Sequence, residues 1–165
     1  MRKADDLSMY TILHRAGCTP GVINHCHAVT LLADEYAARM DIADTALVHQ
    51  AALLHDIGRG RTHSLAHAQA GGQICRELGL PESLARIVER HIGAGLTADE
   101  CSIERLLPID CFPASLEEKI VANADNLVRG KTRISIFNRL MSSVSLPRRV
   151  KMRMYHLWLE MEQWA

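Results

Sequence analysis

Apolar side chains recur at Val22, Cys26, Val29, Ala33, Tyr36, Ala37 and Met40, a spacing near 3.6 residues that predicts one amphipathic helix from Val22 to Met40. The stretch from Ala43 to about Asp56 is apolar nearly all round and is stopped by Gly58 and Gly60, as expected of a helix at the centre of a domain. Upstream, a helix is predicted over Asp5 to Ala16, ended by the turn Gly17-Cys18-Thr19-Pro20-Gly21. Ser64 is placed to cap a helix running to Leu78 and closed by Gly79, and Pro81 with Glu82 opens another lasting to about Ile92. Gly93 to Pro113 reads as loop, after which Ser115 and Glu118 form a capping box for a helix reaching Val128. Beyond Gly130 the pattern gives one short helix and a long last one from Pro147. No strand is demanded, so the expected fold is an all-α helical bundle.

Composition supports this reading and narrows it. The 165 residues suit one domain spanning 1–165, with its core at about 22–128 and the helices of about 131–165 packed on it. With 19 Lys+Arg against 19 Asp+Glu, net charge selects no partner, and 48% hydrophobic content excludes a disordered chain. Five cysteines form an odd set without a C-x-x-C pair, which fits reduced thiols better than a disulfide framework or a zinc knuckle. The start MRKADDLSMY has no apolar signal region, and no stretch approaches the roughly 18 apolar residues of a spanning helix. A cytoplasmic protein without a membrane partner is the expectation.

The informative residues are polar ones on apolar faces, because burying them unpaired costs several kcal/mol. His25 lies one turn from Val22 and Val29, His55 one turn from Ala51 and Ala52, and His67 beside Ala70 and Gly71. His91 follows Ile87 and Val88, and Asp125 sits between Val121 and Val128. Each taken alone reads as a satisfied core residue. Taken together, imidazoles and carboxylates on separate helices share one solution in a divalent metal. His55 and Asp56 are adjacent where the central helix breaks, and a frayed end is where consecutive side chains most easily face one site.

The segments HCHAV, AALLHDIGRG, HAQAG, VERH and ANADNL keep an order H…HD…H…H…D that is similar to the HD-domain metal-dependent phosphohydrolases of the HDIG subgroup. The resemblance implies one metal held by His25, His55, Asp56 and Asp125, with Asp56 bridging to a second held by His67 and His91. His55 and Asp56 become the catalytic pair. The two middle histidines resemble those of binuclear members such as the HD-type symmetrical dinucleoside tetraphosphatases. Such a site hydrolyses a phosphoester or phosphoanhydride, in a nucleotide-like small molecule, by metal-activated hydroxide. Iron, manganese, zinc, nickel and cobalt all suit these ligands. After His91 the chain reads IGAGLT rather than the Gly-Tyr-Pro signature of cyclic di-GMP phosphodiesterases, and it lacks the extra segments of the alarmone enzymes.

Further candidates for phosphate contact are His63, Arg59, Arg61 and Lys131, with Arg129 and Arg133 beside them; a solvated charged loop is the plain alternative. His14, His27, His49 and His156 have no motif context and stay outside the site. The basic start of the last helix, followed by Tyr155, Trp158 and Trp164, is compatible with weak nucleic-acid contact or with packing on another subunit as a homo-oligomer. The rival to an enzyme is a non-catalytic HD module that binds a nucleotide or nucleic acid in a regulatory or scaffolding role. A purely structural metal is a third reading, less suited because so few ligands for two ions leave coordination positions open.

Overall fold

Several helices in this chain start on side-chain caps. The computed structural model describes residues 2–164, with side chains from residue 8 onward. The helices are α1 (Arg2–Arg15), α2 (Pro20–Ala37), α3 (Thr45–Leu54), α4 (His67–Glu77), α5 (Glu82–Glu89), α6 (Ala98–Ile103), α7 (Leu116–Asn126), α8 (Ile136–Ser142) and α9 (Arg148–Glu162). Thr19 accepts from the Val22 amide at the start of α2, and Asp44 from the Leu47 amide at the start of α3. Ser115 and Glu118 complete the expected capping box of α7. Each cap satisfies an amide that the helix itself leaves without a partner.

The all-α expectation holds, with three local corrections. Strands β1 (Val128–Arg129) and β2 (Thr132–Arg133) form a small antiparallel hairpin, pairing Val128 with Arg133 and Arg129 with Thr132. Gly130 makes the tight turn at φ +60, a conformation other residues rarely adopt. Within the stretch read as loop, Thr97 and Glu100 form a second capping box that starts α6. Ser64 does not cap α4: its hydroxyl accepts from the Ala66 amide, its carbonyl accepts from the His67 amide, and the helix begins at His67.

The buried apolar side chains form one continuous cluster running from Met9 to Met161. In α2, Cys26, Val29, Ala33, Tyr36 and Ala37 are buried as their period requires, while Val22 is half-buried at the edge. Central α3 packs against α2, α5 and α7, which is why it is apolar on nearly every face. Met154, Leu157 and Met161 seat α9 on α7, and the Tyr36 hydroxyl donates to Glu162 across the top of α2. The cysteines at 18, 26, 75, 101 and 111 are all free and buried. Among the described residues no helix is long and apolar enough to cross a membrane.

One close crossing brings α3 and α4 into register. After α3, a 3-10 turn (Ile57–Gly60) runs directly over the start of α4. A Cβ on Gly58 would lie 1.9 Å from the His67 carbonyl oxygen and 2.7 Å from the Gly71 amide nitrogen. Only glycine allows backbones this close. The contact sets Asp56, just before the turn, beside His67 at the first residue of α4.

Candidate metal centre

Helix ends supply most of the site. His25 projects from α2, His55 ends α3, Asp56 precedes the 3-10 turn, His67 opens α4, His91 follows α5, and Asp125 lies in the last turn of α7. The fold brings these six side chains together. His25 Nε2 is 3.0 Å and His55 Nε2 3.6 Å from Asp125 Oδ1. On the other side, His67 Nε2 is 3.0 Å and His91 Nε2 3.6 Å from Asp56 Oδ1, while His55 Nε2 is 3.8 Å from Asp56 Oδ2. Two donor sets thus share His55: His25, His55 and Asp125, and His55, Asp56 and His91, the donor atoms of each lying within 4.8 Å of one another.

The imidazoles are held in one orientation. His55, His67 and His91 each place Nδ1 2.7 Å from the carbonyl oxygen three residues earlier, at Ala52, Ser64 and Val88. His25 Nδ1 lies 2.9 Å from the Gly130 carbonyl oxygen in the hairpin turn. A carbonyl only accepts, so Nδ1 carries a proton and Nε2 is the ring atom turned inward. His67 Nε2 and His91 Nε2 meet at 3.2 Å, and His67 Nε2 lies 3.0 Å from Asp56 Oδ1. His55 Nε2 and Asp56 Oδ1 are buried without a hydrogen-bond partner. Inward nitrogens and carboxylate oxygens this close need a proton or a cation among them, and neutral imidazole nitrogens with carboxylate oxygens are the donors that divalent transition metals take.

Protonation in the metal-free cluster reports the same demand. Burial disfavours charge on His55, but Cys26, Asp56 and Asp125 outweigh it and hold its pKa well above the ordinary imidazole value. Burial would raise the Asp56 carboxyl, yet charge on His55 and contacts from His67 and His91 keep it far below the usual carboxylate range. Asp125 behaves alike: burial opposes ionisation, and His25 and His55 override it. Burial pushes His91 down. A proton on His55 therefore stands where a metal's charge would be.

The remaining candidates divide. Arg59 Nε donates to Asp56 Oδ2 at 2.6 Å, so it belongs to the cluster's edge. Arg61 turns away and pairs with Glu77, and His63 is exposed on the loop before α4. Lys131 is exposed in the hairpin turn, next to the carbonyl that orients His25, and Arg133 pairs with Glu35. His49 pairs with Asp34 and His27 meets the Tyr10 hydroxyl, while His14 and His156 are exposed; none of them enters the cluster. The His25 and Asp125 side chains are 17% and 18% exposed, against 5% or less for the other four, so the centre opens on their side. The carbonyl partners of Nδ1 were the part that sequence reasoning missed. For His55 and His91 the signal was the helix geometry itself, which puts a histidine at a helix C-terminus over the carbonyl three residues back.

Comparison with known proteins gives the chain's family. The HD domain family profile matches residues 22–130. An uncharacterized protein of Methanocaldococcus jannaschii is 48% identical over 127 residues, covering 72% of this chain and 73% of that protein. A tRNA (cytidine(56)-2'-O)-methyltransferase of Thermoplasma volcanium is 39% identical over 132 residues, covering 80% of this chain but only 39% of its own length. The HD domain of L. monocytogenes phosphodiesterase PgpH has the same fold, with a TM-score of 0.56 at 16% identity over 88% of this chain and 93% of that one. That domain has also been solved in complex with cyclic-di-AMP.

Proposed function

Because the chain belongs to the HD domain family, we propose that it is a metal-dependent phosphohydrolase that cleaves a phosphoester or phosphoanhydride bond in a nucleotide-like substrate. One observation carries this reading: the four imidazoles have Nδ1 committed to backbone carbonyls and Nε2 converging on Asp56 and Asp125. In this assignment His25, His55, Asp56 and Asp125 hold one metal, and Asp56 is shared with a second held by His67 and His91. Iron, manganese, zinc, nickel and cobalt are all acceptable to such ligands. Bound there, the metals supply Lewis acidity toward a phosphoryl oxygen and lower the pKa of a water molecule.

The chain's own residues do the positioning. Rigid Nδ1 bonds keep the Nε2 atoms from relaxing, so the donor geometry is set before substrate arrives. Arg59 holds Asp56 Oδ2 and is the guanidinium within reach of a phosphate at the centre. Substrate enters on the open side formed by His25 and Asp125, where Lys131 adds a cation at the mouth. Burial of His55, Asp56, His67 and His91 excludes water from the opposite side. Support for a nucleotide-like substrate comes from the settings of the relatives: a phosphodiesterase domain in complex with cyclic-di-AMP, and an enzyme named for tRNA.

That second relative also favours an alternative, a non-catalytic HD module serving a nucleic-acid-directed protein, since there the matching segment is part of a longer chain. An Asp56→Ala variant decides between them. Metal content is measured beside phosphate release or phosphodiester cleavage across a nucleotide panel. Turnover and metal both lost in the variant support the enzyme; a metal-replete parent with no turnover on any substrate supports the module.

A further inference from the structure

Apart from the metal centre, α6, the segment following His91 and the start of α9 enclose a cavity of about 260 Å³. None of the six clustered His and Asp residues lines it. Its wall is aliphatic, formed by Leu65, Ile92, Leu96, Leu146, Val150 and Met154. Ile103 and Leu65, 73% and 39% exposed, extend the apolar surface to the mouth.

The charged groups of the cavity are not equivalent. Glu100 is satisfied: its carboxylate accepts from Arg149 Nε at 2.9 Å, from Arg153 Nη2 at 2.6 Å and from the Thr97 amide at 3.0 Å. Arg139, reaching in from α8, is not. Its half-buried side chain lines the cavity, and among the described residues its guanidinium forms no ion pair and its Nε no hydrogen bond. Glu104 stands exposed at the rim and does not pair with it. A guanidinium set in an aliphatic wall keeps its charge, since arginine does not lose its proton there, and gains from an acceptor in the cavity. An anion carried by a ligand is the missing acceptor.

The wall selects what carries the anion. No aromatic ring lines the cavity, so a purine or pyrimidine finds nothing to stack on, whereas aliphatic side chains suit an alkyl chain. The volume lies just under the roughly 300 Å³ at which small-ligand pockets begin, so the occupant is short. We propose that this cavity is a second binding site that takes a medium-length alkyl carboxylate, with Arg139 as the partner of its carboxylate and the aliphatic wall as the seat of its chain.

Calorimetric titration of the full chain with octanoate, beside 1-octanol as the uncharged counterpart, tests the site. Saturable octanoate binding is expected, weakened at least about tenfold by Arg139→Gln and to a similar extent by the change to octanol. Glu104→Gln removes a like charge from the rim and leaves binding equal or tighter, and Val150→Trp, which fills the cavity, removes it. No saturable octanoate binding, or equal affinity for octanol, overturns the proposal even if the Arg139 variant fails to fold. Equal affinity in a folded Arg139→Gln protein overturns it as well. Neither readout depends on metal loading or hydrolysis, so failure here is distinct from failure of the enzymatic reading.

Discussion

Arg59 Nε lies 2.6 Å from Asp56 Oδ2, while the other oxygen of that carboxylate faces His67 at 3.0 Å and His91 at 3.6 Å. One carboxylate thus serves an arginine on one oxygen and the inner imidazoles on the other. Arg59 is part-exposed and three residues on from Asp56, so under the proposed function its guanidinium is placed to turn from Oδ2 to a phosphate.

Arg59→Gln is expected to keep the metal content of the parent and to lose turnover at least about tenfold, mostly through a raised KM, because a guanidinium on phosphate contributes binding rather than metal affinity. Steady-state kinetics with elemental analysis on the same preparation checks this. Metal lost in step with turnover would instead assign Arg59 to holding Asp56 in place.

The two halves of the cluster are expected to fail separately. His67→Ala removes a ligand whose Nε2 meets Asp56 and His91 but not the His25–Asp125 side, so metal content should fall from about two to about one per chain. Asp56→Ala, which removes the shared carboxylate, should empty both positions. Equal metal content in the His67 variant and the parent would rule out a second ion at that position.

What could be read from the chain was what depends on local pattern. His55, Asp125 and their neighbours stood out because a polar side chain on an apolar face needs a partner, and the Ser115–Glu118 box announced α7 within four residues. Other features depend on parts of the chain remote in sequence. The Gly130 carbonyl that orients His25 comes from a hairpin more than a hundred residues away. Arg59 and Arg61 looked alike in sequence, yet the 3-10 turn sends the first to Asp56 and the second to Glu77. Helix α6 was hidden by its glycine-rich and proline-rich surroundings, although its Thr97–Glu100 box was as explicit as that of α7. Arg139 gave no signal at all, since an arginine on a short helix is ordinary until its burial is known.

Gly58→Ala is expected to be severe although it adds one methyl group. The new Cβ would sit 1.9 Å from the His67 carbonyl oxygen, a backbone atom that cannot step aside without moving α4. A loss of about 3 kcal/mol is expected in urea unfolding of the metal-free protein. Moving α4 also carries His67 away from Asp56, so the folded fraction should bind less metal. An unchanged unfolding midpoint would mean that the turn and α4 are less tightly apposed than the backbone contact requires.

Stability of the metal-free protein should depend on pH in a way that metal abolishes. The His55 pKa is raised from its ordinary 6.5, so the stability this proton contributes is present below 6.5 and is lost as pH rises through the folded-state value. Asp56 and Asp125 are depressed from 3.8, so their contribution is present above 3.8 and is lost as pH falls through their folded-state values. Burial lowers His91 from 6.5, so its contribution is fully present above 6.5 and declines as pH falls toward its folded-state value. The chelated protein is therefore most stable near 6.5 and weakens on the alkaline side as His55 gives up its proton. A divalent ion replaces that proton and binds better as it leaves, so metal should raise Tm most above pH 7, by roughly 10 °C when the ion is far above its Kd. Melting curves with and without chelator from pH 4 to 9 measure this directly. A metal-induced shift that is the same at pH 5 and pH 8 would show that the ion does not compete with the His55 proton, and would place it elsewhere than between His55 and the two aspartates.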